Sequence, residues 1–488
     1  MKKITVLLVL MLFSLFPVNV SAADVNTLST GSAINAGLFG ILVIYLIGLS
    51  LGILLYYAGN YANFHINKSN PFTPAIYIYL TGLITRLIIS VVMDGHPIDM
   101  GCFKGWASIA ANNLPSFYTN GGFADYPPLY IYVLFIVEKI RLLLFASSPE
   151  FVRTLIIKLP ANIADVVCSY IIFKYGKRYL NEKKAMLISL IYLFNPATIL
   201  TSSVWGQVDS IFMLILSIAL IKLTDKDFIK STVWFALAVL FKPQGLIFLP
   251  VLFFVLVKEK NIKLLGKCFL TGLVTFILPI IPFSGGQRFD WILKLYFNTA
   301  SSYKGASINA YNLFALLGAN WKDDTQKLFI FSYSTWGFIF IGLVTLLIAW
   351  YILTSKNESI PASSSVMLIT GVYVLSSKMH ERYIFPALML LLLVYVVNKK
   401  TEVLLLHIGF SITALVNVLQ VFILSQSKIY WVPANNSTLK FISFINIVLM
   451  IVTFAVIISL RFFIVSMARK ATATSSNSKK VHKKGRKK

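Results

Sequence analysis

The run "LYIYVLFIVEKIRLLLF", residues 129–145, decides how this chain is threaded. It is apolar enough to pass for a membrane crossing, yet it carries Glu138, Lys139 and Arg141. Ionisable side chains facing lipid are costly and rare in spanning helices. Upstream stands "GGFADYPP", residues 121–128, an acid and two prolines at the edge of a greasy segment. Proline lacks the backbone donor and pushes the preceding Tyr126 out of helix, so the chain must turn there. Whether the run crosses or lies in the interface fixes the side of every later loop.

Composition places the whole chain in a membrane. Of 488 residues, 57% are hydrophobic and 13% charged. A soluble fold could not cover so much apolar surface, and many runs approach the roughly 20 residues that a crossing helix needs. The 44 Lys and Arg against 18 Asp and Glu give a net charge of +26. In a polytopic protein such an excess gathers on cytoplasmic loops and against anionic headgroups. Membrane lipids, and no nucleic acid, are therefore its expected partners. Residues 467–488, basic and poor in apolar residues, read as a disordered cytoplasmic tail. Cys102, Cys168 and Cys268 are odd in number and far apart, which gives no disulfide framework, CxxC or zinc spacing. Residues 1–23 have a basic start, an apolar stretch and small residues at Ser21-Ala22-Ala23, the pattern of a signal peptide or a first transmembrane helix.

Residues 24–466 then read as one transmembrane domain, with a span at 35–57 entering the cell and 74–93 returning. If 129–145 crossed, the basic "KYGKRYLNEKK" (174–184) would lie outside, against the positive-inside tendency. An interfacial or re-entrant run puts it inside. The loops at 222–230, 258–267, 354–359 and 398–402 join it there. Residues 94–127, 201–210, 241–244, 284–331, 376–383 and 426–438 fall outside and hold nearly all the carboxylates, amides, aromatics and histidines fit for chemistry. The expected fold is an all-α polytopic bundle. The short apolar segments beside "FKPQ" (241–244) suit a backbone buried in protein or lining a wet cavity.

The first outer loop, "DGHPIDMGCFKGWASIAANNLPSFYTNGGFADYPPLYIY", carries Asp99, "CFKGW" ending at Trp106, Tyr118 and "DYPPL" from Asp125 to Leu129. In residues and spacing it resembles the polyprenyl-phosphate-sugar-dependent glycosyltransferases of the membrane-embedded GT-C class. Two branches look similar: the dolichyl-phosphate-glucose glucosyltransferases of N-glycan assembly, and bacterial relatives of the second GPI-anchor mannosyltransferase. Echoes occur further along in "FKPQGLIFLP", "IPFSGGQRF" and "KMHERY", so the likeness spreads over about 75–400. It implies a multi-helix bundle with its active site at the outer face, and a first outer loop (94–127) folded into helices along that face. Residues 284–331 form a second long outer loop. The resemblance also implies an inverting transfer of a hexose, mannose or glucose, from a polyprenyl-phosphate donor to an extracytoplasmic glycan or glycolipid acceptor, at a bacterial cell membrane. A transporter or flippase of a lipid-linked sugar is the alternative; sugar transfer by purified protein separates the two.

Such a transfer needs a carboxylate to take the acceptor proton and positive charge for the departing phosphate. Asp99 is the expected base, against the plainer role of a helix cap, with Asp94 as its competitor. Asp125 and Tyr126 suit a rigid corner or an acceptor contact equally well. Lys242, Arg288, His380 and Arg382 are the candidates for the phosphate. Glu381 orients His380 or sits in an ion pair; Arg288 has Asp290 as an equally simple partner. Trp106, Tyr118 and Trp205 suit sugar faces or interface anchoring. Gln207 and Asp209 stand at a helix mouth, where polar groups are functional candidates. No tight DxD or His/carboxylate cluster stands out, so no metal ligand and no cofactor is assigned and divalent-metal dependence stays open.

Overall fold

The computed structural model describes residues 74–120 and 122–462. The expected signal or first helix (1–23), the span at 35–57 and the basic tail (467–488) lie outside them. Helices of ten or more residues are numbered here in chain order. The first, α1 (Pro74–Val92), bends by 97° into α2 (Pro97–Asn112), which opens on a His96 cap with Pro97 in its first turn. Proline suits that position because its missing donor would be unpaired anyway. Next come α3 (Pro128–Leu144), α4 (Glu150–Gly176) and α5 (Glu182–Leu193). Beyond α5 the chain bends by 42° into Pro196–Trp205, whose end, Leu200–Trp205, is a π-helix.

The chain continues through α6 (Asp209–Thr224), α7 (Phe228–Phe241), a 3-10 turn (Pro243–Phe248) and α8 (Leu249–Lys258). Then come α9 (Ile262–Ile277), α10 (Trp291–Ser302) and a two-residue hairpin pairing Lys327–Leu328 with Phe331–Ser332. The last five are α11 (Tyr333–Thr354), α12 (Ile360–Leu375), α13 (Phe385–Asn398), α14 (Thr401–Gln426) and α15 (Ser437–Ser459). Five described helices are long and apolar enough to cross a membrane, and up to seven if each bent pair is one span. The protein is an all-α, multi-pass membrane protein.

The short helices α12 and α13 are buried on nearly every side, and an all-round apolar helix belongs in such a core. Small residues allow the close approach: a Cβ on Gly371 would stand 2.9 Å from Val344. The α9 span, by contrast, is only 11% buried and leaves Phe269 and Leu270 facing outward, as suits lipid contact.

The run 129–145 forms α3 and does not traverse the bundle. At its start Tyr126 and Tyr130 pack on Trp106 and Phe103 of α2. Past its end, Glu150 pairs with Lys104 of the same helix at 2.8 Å, and Arg153 donates to the Lys104 carbonyl at 2.8 Å. The chain that leaves α3 thus comes back to α2, where α3 began. Buried Glu138 takes both Arg141 (3.0 Å) and Arg153 (3.1 Å), so two of the three charges of the run are paired within protein, while Lys139 is exposed and lies over the Phe135 ring.

The loops sort into two ends. At one, Arg178 meets Asp225 at 2.6 Å, Lys226 meets Glu259 at 3.4 Å, and Asn357 donates to Asn398 at 2.7 Å. These are the loops expected inside. At the other end the segments expected outside converge, and the candidate residues gather there.

Candidate active site

The site is built on Asp99, in the first turn of α2. His96 caps that helix through Nδ1, which accepts from the Asp99 backbone at 3.4 Å and lies 3.7 Å from its Oδ2. The same Oδ2 accepts Trp205 Nε1 and Gln207 Nε2, each at 2.6 Å, and stands 3.8 Å from Arg382 Nη1. None of these contacts uses Oδ1, and the side chain keeps 21% of its surface exposed. Burial pushes the carboxyl up, but the Arg382 charge and the two donors outweigh it and hold the group below its ordinary value. Asp99 is therefore ionised at neutral pH, with one oxygen held and the other uncommitted.

The segments that grip it are forced together by their backbones. Gly95 and Gly206 are left-handed, at φ +94° and +92°. A Cβ on Gly95 would stand 2.7 Å from the Trp205 carbonyl oxygen, which accepts from the His96 amide at 2.9 Å. His96 stacks on Trp205 with ring centres 4.4 Å apart. Its burial, despite the Asp99 charge, drives the imidazole down to about 4, so it is neutral.

Behind Asp99 lies a buried charge row. Asp209 Oδ1 takes Lys242 Nζ at 2.5 Å, and its Oδ2 stands 3.8 Å from Arg382 Nε. Arg382 Nη1 also meets Glu381 at 2.5 Å. Burial pushes Glu381 up and Lys242 down from their ordinary values. Neither Asp209 Oδ2 nor Arg382 Nε has a hydrogen-bond partner among the described residues. Unsatisfied polar atoms in a low-dielectric site cost free energy unless a ligand meets them.

Beside this row opens a cavity of about 300 Å³. Lys242, Lys378 and Arg382 line it together with Asp125 and Tyr303, and Leu246, Ile247 and Phe338 line it too. Phe338 is 71% exposed and Leu246 46%, so the apolar part opens sideways. Asp99 is not in the lining; Arg382, which is, reaches it.

The candidates divide by place. Asp99, Gln207, Asp209, Lys242, Glu381 and Arg382 form one cluster, and Tyr126 joins it by donating from its hydroxyl to Gln207 Oε1 at 3.2 Å. Asp125 accepts from Tyr303 at 2.8 Å and faces the cavity; burial raises its pKa. Arg288 does not come near: it is exposed and paired with Asp290 at 3.2 Å. Asp94 is exposed and enters none of the cluster's bonds. His380 is buried between Tyr303 and Tyr383, and burial and the Arg382 charge drive it down to about 3. Its Nε2 has no hydrogen-bond partner among the described residues.

The aromatic candidates are occupied elsewhere. Trp106 and Trp205 are buried, their Nε1 donors spent on the Phe123 carbonyl and on Asp99, and Tyr118 donates to the Tyr126 carbonyl at 2.8 Å. They hold the site rather than offer a sugar platform. His96 escaped sequence reading. Its one signal was its place between Gly95 and Pro97, where a polar residue caps a helix.

Two comparisons bear on this arrangement. The model of glycosyltransferase family 87 matches residues 126–381, more than half of the chain. The chain is 35% identical over 107 residues to GPI mannosyltransferase 1 of Candida albicans (strain SC5314 / ATCC MYA-2876). That match takes in 21% of this chain and 27% of the relative, so the chain spans about a quarter of the curated relative's length.

Proposed function

The chain belongs to glycosyltransferase family 87, and from that premise we propose that it is an inverting hexosyltransferase with a polyprenyl-phosphate sugar as donor. The hexose is mannose or glucose. The acceptor is a glycan or glycolipid at the extracytoplasmic face of a bacterial cell membrane. Mannose is favoured by the name of the yeast relative.

One observation carries the donor class: a single cavity joins Lys242 and Arg382 to the outward-facing Leu246 and Phe338. An amphiphile with an anionic head and an apolar tail matches both parts. Arg382 would meet phosphate oxygens through its planar fork, with Lys242 as a second positive charge.

In the transfer, Asp99 Oδ1 takes the acceptor hydroxyl proton as that oxygen attacks the anomeric carbon. The bond from that carbon to the phosphate oxygen breaks, and polyprenyl phosphate leaves with the electron pair. Arg382 touches both Asp99 and the cavity, so it sees the negative charge move from base to leaving group. A single base suffices for inversion, whereas retention needs a second carboxylate as nucleophile.

The test is transfer by the purified protein from a panel of polyprenyl-phosphate sugars and, as a control, nucleotide sugars. Turnover with one lipid-linked hexose and none with nucleotide sugars supports the reading. Turnover with nucleotide sugars alone would sink it.

A further inference from the structure

We infer that Lys158 is a positioning residue for the Asp99 site, because its ammonium clamps two helix ends whose next residues hold that carboxylate. The inference rests on reading Asp99 as the base. Lys158 lies in α4 and is fully buried. Its Nζ donates to the carbonyls of Met93 at 2.5 Å, Ser203 at 3.0 Å and Val204 at 3.2 Å.

Met93 comes directly after α1, and Ser203 and Val204 sit in the final turn of the π-helix. These are the carbonyls that a helix end leaves without internal partners, and they carry the negative end of each dipole. An ammonium has three donors, and here each finds one of those oxygens. No carboxylate among the described residues stands within ion-pair distance of it. The buried charge is thus met by two helix ends at once.

The clamp bears on the site through the segments that leave those two ends. From Met93 the chain runs through Gly95 and His96 into α2 and Asp99. From Val204 it runs through Trp205 and Gln207, whose side chains are the two donors on Asp99 Oδ2. Space around the clamp is used up: a Cβ on Gly95 or Gly206 would stand 3.3 or 3.2 Å from Lys158 Cε.

Further along α4, Asn162 bonds Ser90 and Ser203, at 2.8 and 2.6 Å. Asp165 accepts Ser202 at 2.5 Å and Ser210 at 2.6 Å and pairs with Arg86 at 3.4 Å. Asn162 and Asp165 thus tie side chains of α1, the π-helix and α6 to α4, whereas Lys158 takes the backbone carbonyls at the two helix ends.

The test uses the full chain in detergent or nanodiscs, with Lys158→Met, which removes the donors, and Lys158→Gln, which keeps an amide. In Lys158→Met, amide exchange in 93–96 and 203–207 should rise about tenfold or more while α14 and α15 keep their protection. Turnover should fall about 100-fold, the scale of an ångström-sized misplacement, with the donor KM within about threefold. Lys158→Gln should fall between. Turnover within about threefold of the parent would overturn the inference. So would a uniform loss of protection, or failure of both variants to fold, since Lys158 would then be a general structural residue. If the parent transfers no lipid-linked sugar, a localised rise in exchange still supports the clamp, and the failure belongs to the assigned activity.

Discussion

Replacing Asp99 with Asn tests the assigned chemistry most directly, because the structure separates its two effects. Trp205 Nε1 and Gln207 Nε2 both donate to Oδ2. An asparagine can offer its carbonyl oxygen to both, which leaves its amide group where Oδ1 was. The opposite flip would set donors against donors, at a cost of about 1–3 kcal/mol for the unmet groups. Arg382 loses one partner at 3.8 Å but keeps Glu381 and Asp209. The variant should therefore fold, since Arg382 keeps two carboxylates and both donors on Oδ2 keep an acceptor. What it loses is the basic oxygen. General-base catalysis contributes about 10²- to 10⁴-fold. That range corresponds to about 2.7–5.4 kcal/mol of barrier at 1.36 kcal/mol per decade. The assay is transfer of labelled hexose from the polyprenyl-phosphate donor by purified protein at saturating acceptor, with donor KM measured alongside. The expected result is kcat down by that factor and KM within about threefold. Asp99→Asn protein that is folded and keeps more than about a tenth of parental kcat would refute the assignment of the base.

The same contacts set three further outcomes. Gln207→Leu removes a donor that helps hold Asp99 below its ordinary value, so the carboxyl pKa must rise. Asp99 acts ionised and loses activity as pH falls through its pKa, so the acid limb of kcat/KM should move to higher pH; an unmoved limb would contradict the geometry. Lys242→Met leaves Asp209 buried without its cation and should cost about 3–5 kcal/mol of stability by thermal or denaturant unfolding. Adding Asp209→Leu should restore most of that stability and none of the activity, which separates the pair's structural cost from its use at the phosphate. Phe338→Ala shortens the outward wall of the cavity. It should raise KM about threefold for a long-chain donor, through lost van der Waals contact with the chain, and leave a short-chain donor unchanged.

How far these residues could be read beforehand depends on what decided each one. The corner at Asp125–Pro128 was legible because proline acts on its own neighbours, and Pro128 does open α3. Arg288 and Arg382 are chemically identical, and burial alone separates them: one is 75% exposed on its own loop, the other 12% exposed between three carboxylates. Burial comes from partners far off in sequence, so local reading could not choose. Burial likewise decides Trp205, whose buried indole serves as a hydrogen-bond donor to Asp99. Lys158, Asn162 and Asp165 carry no local signal inside an apolar run, because their partners lie on helices dozens of residues away. The convergence at one end of the loops expected outside follows from parity. Each crossing reverses the side of everything after it, so one misjudged segment would have sent Lys242 and Arg382 to the face opposite Asp99. The cost of Glu138 and Arg141 in lipid is what keeps α3 from counting as a crossing. The ion pairs of Glu138 with Arg141 and Arg153 are the same physics seen from inside the protein.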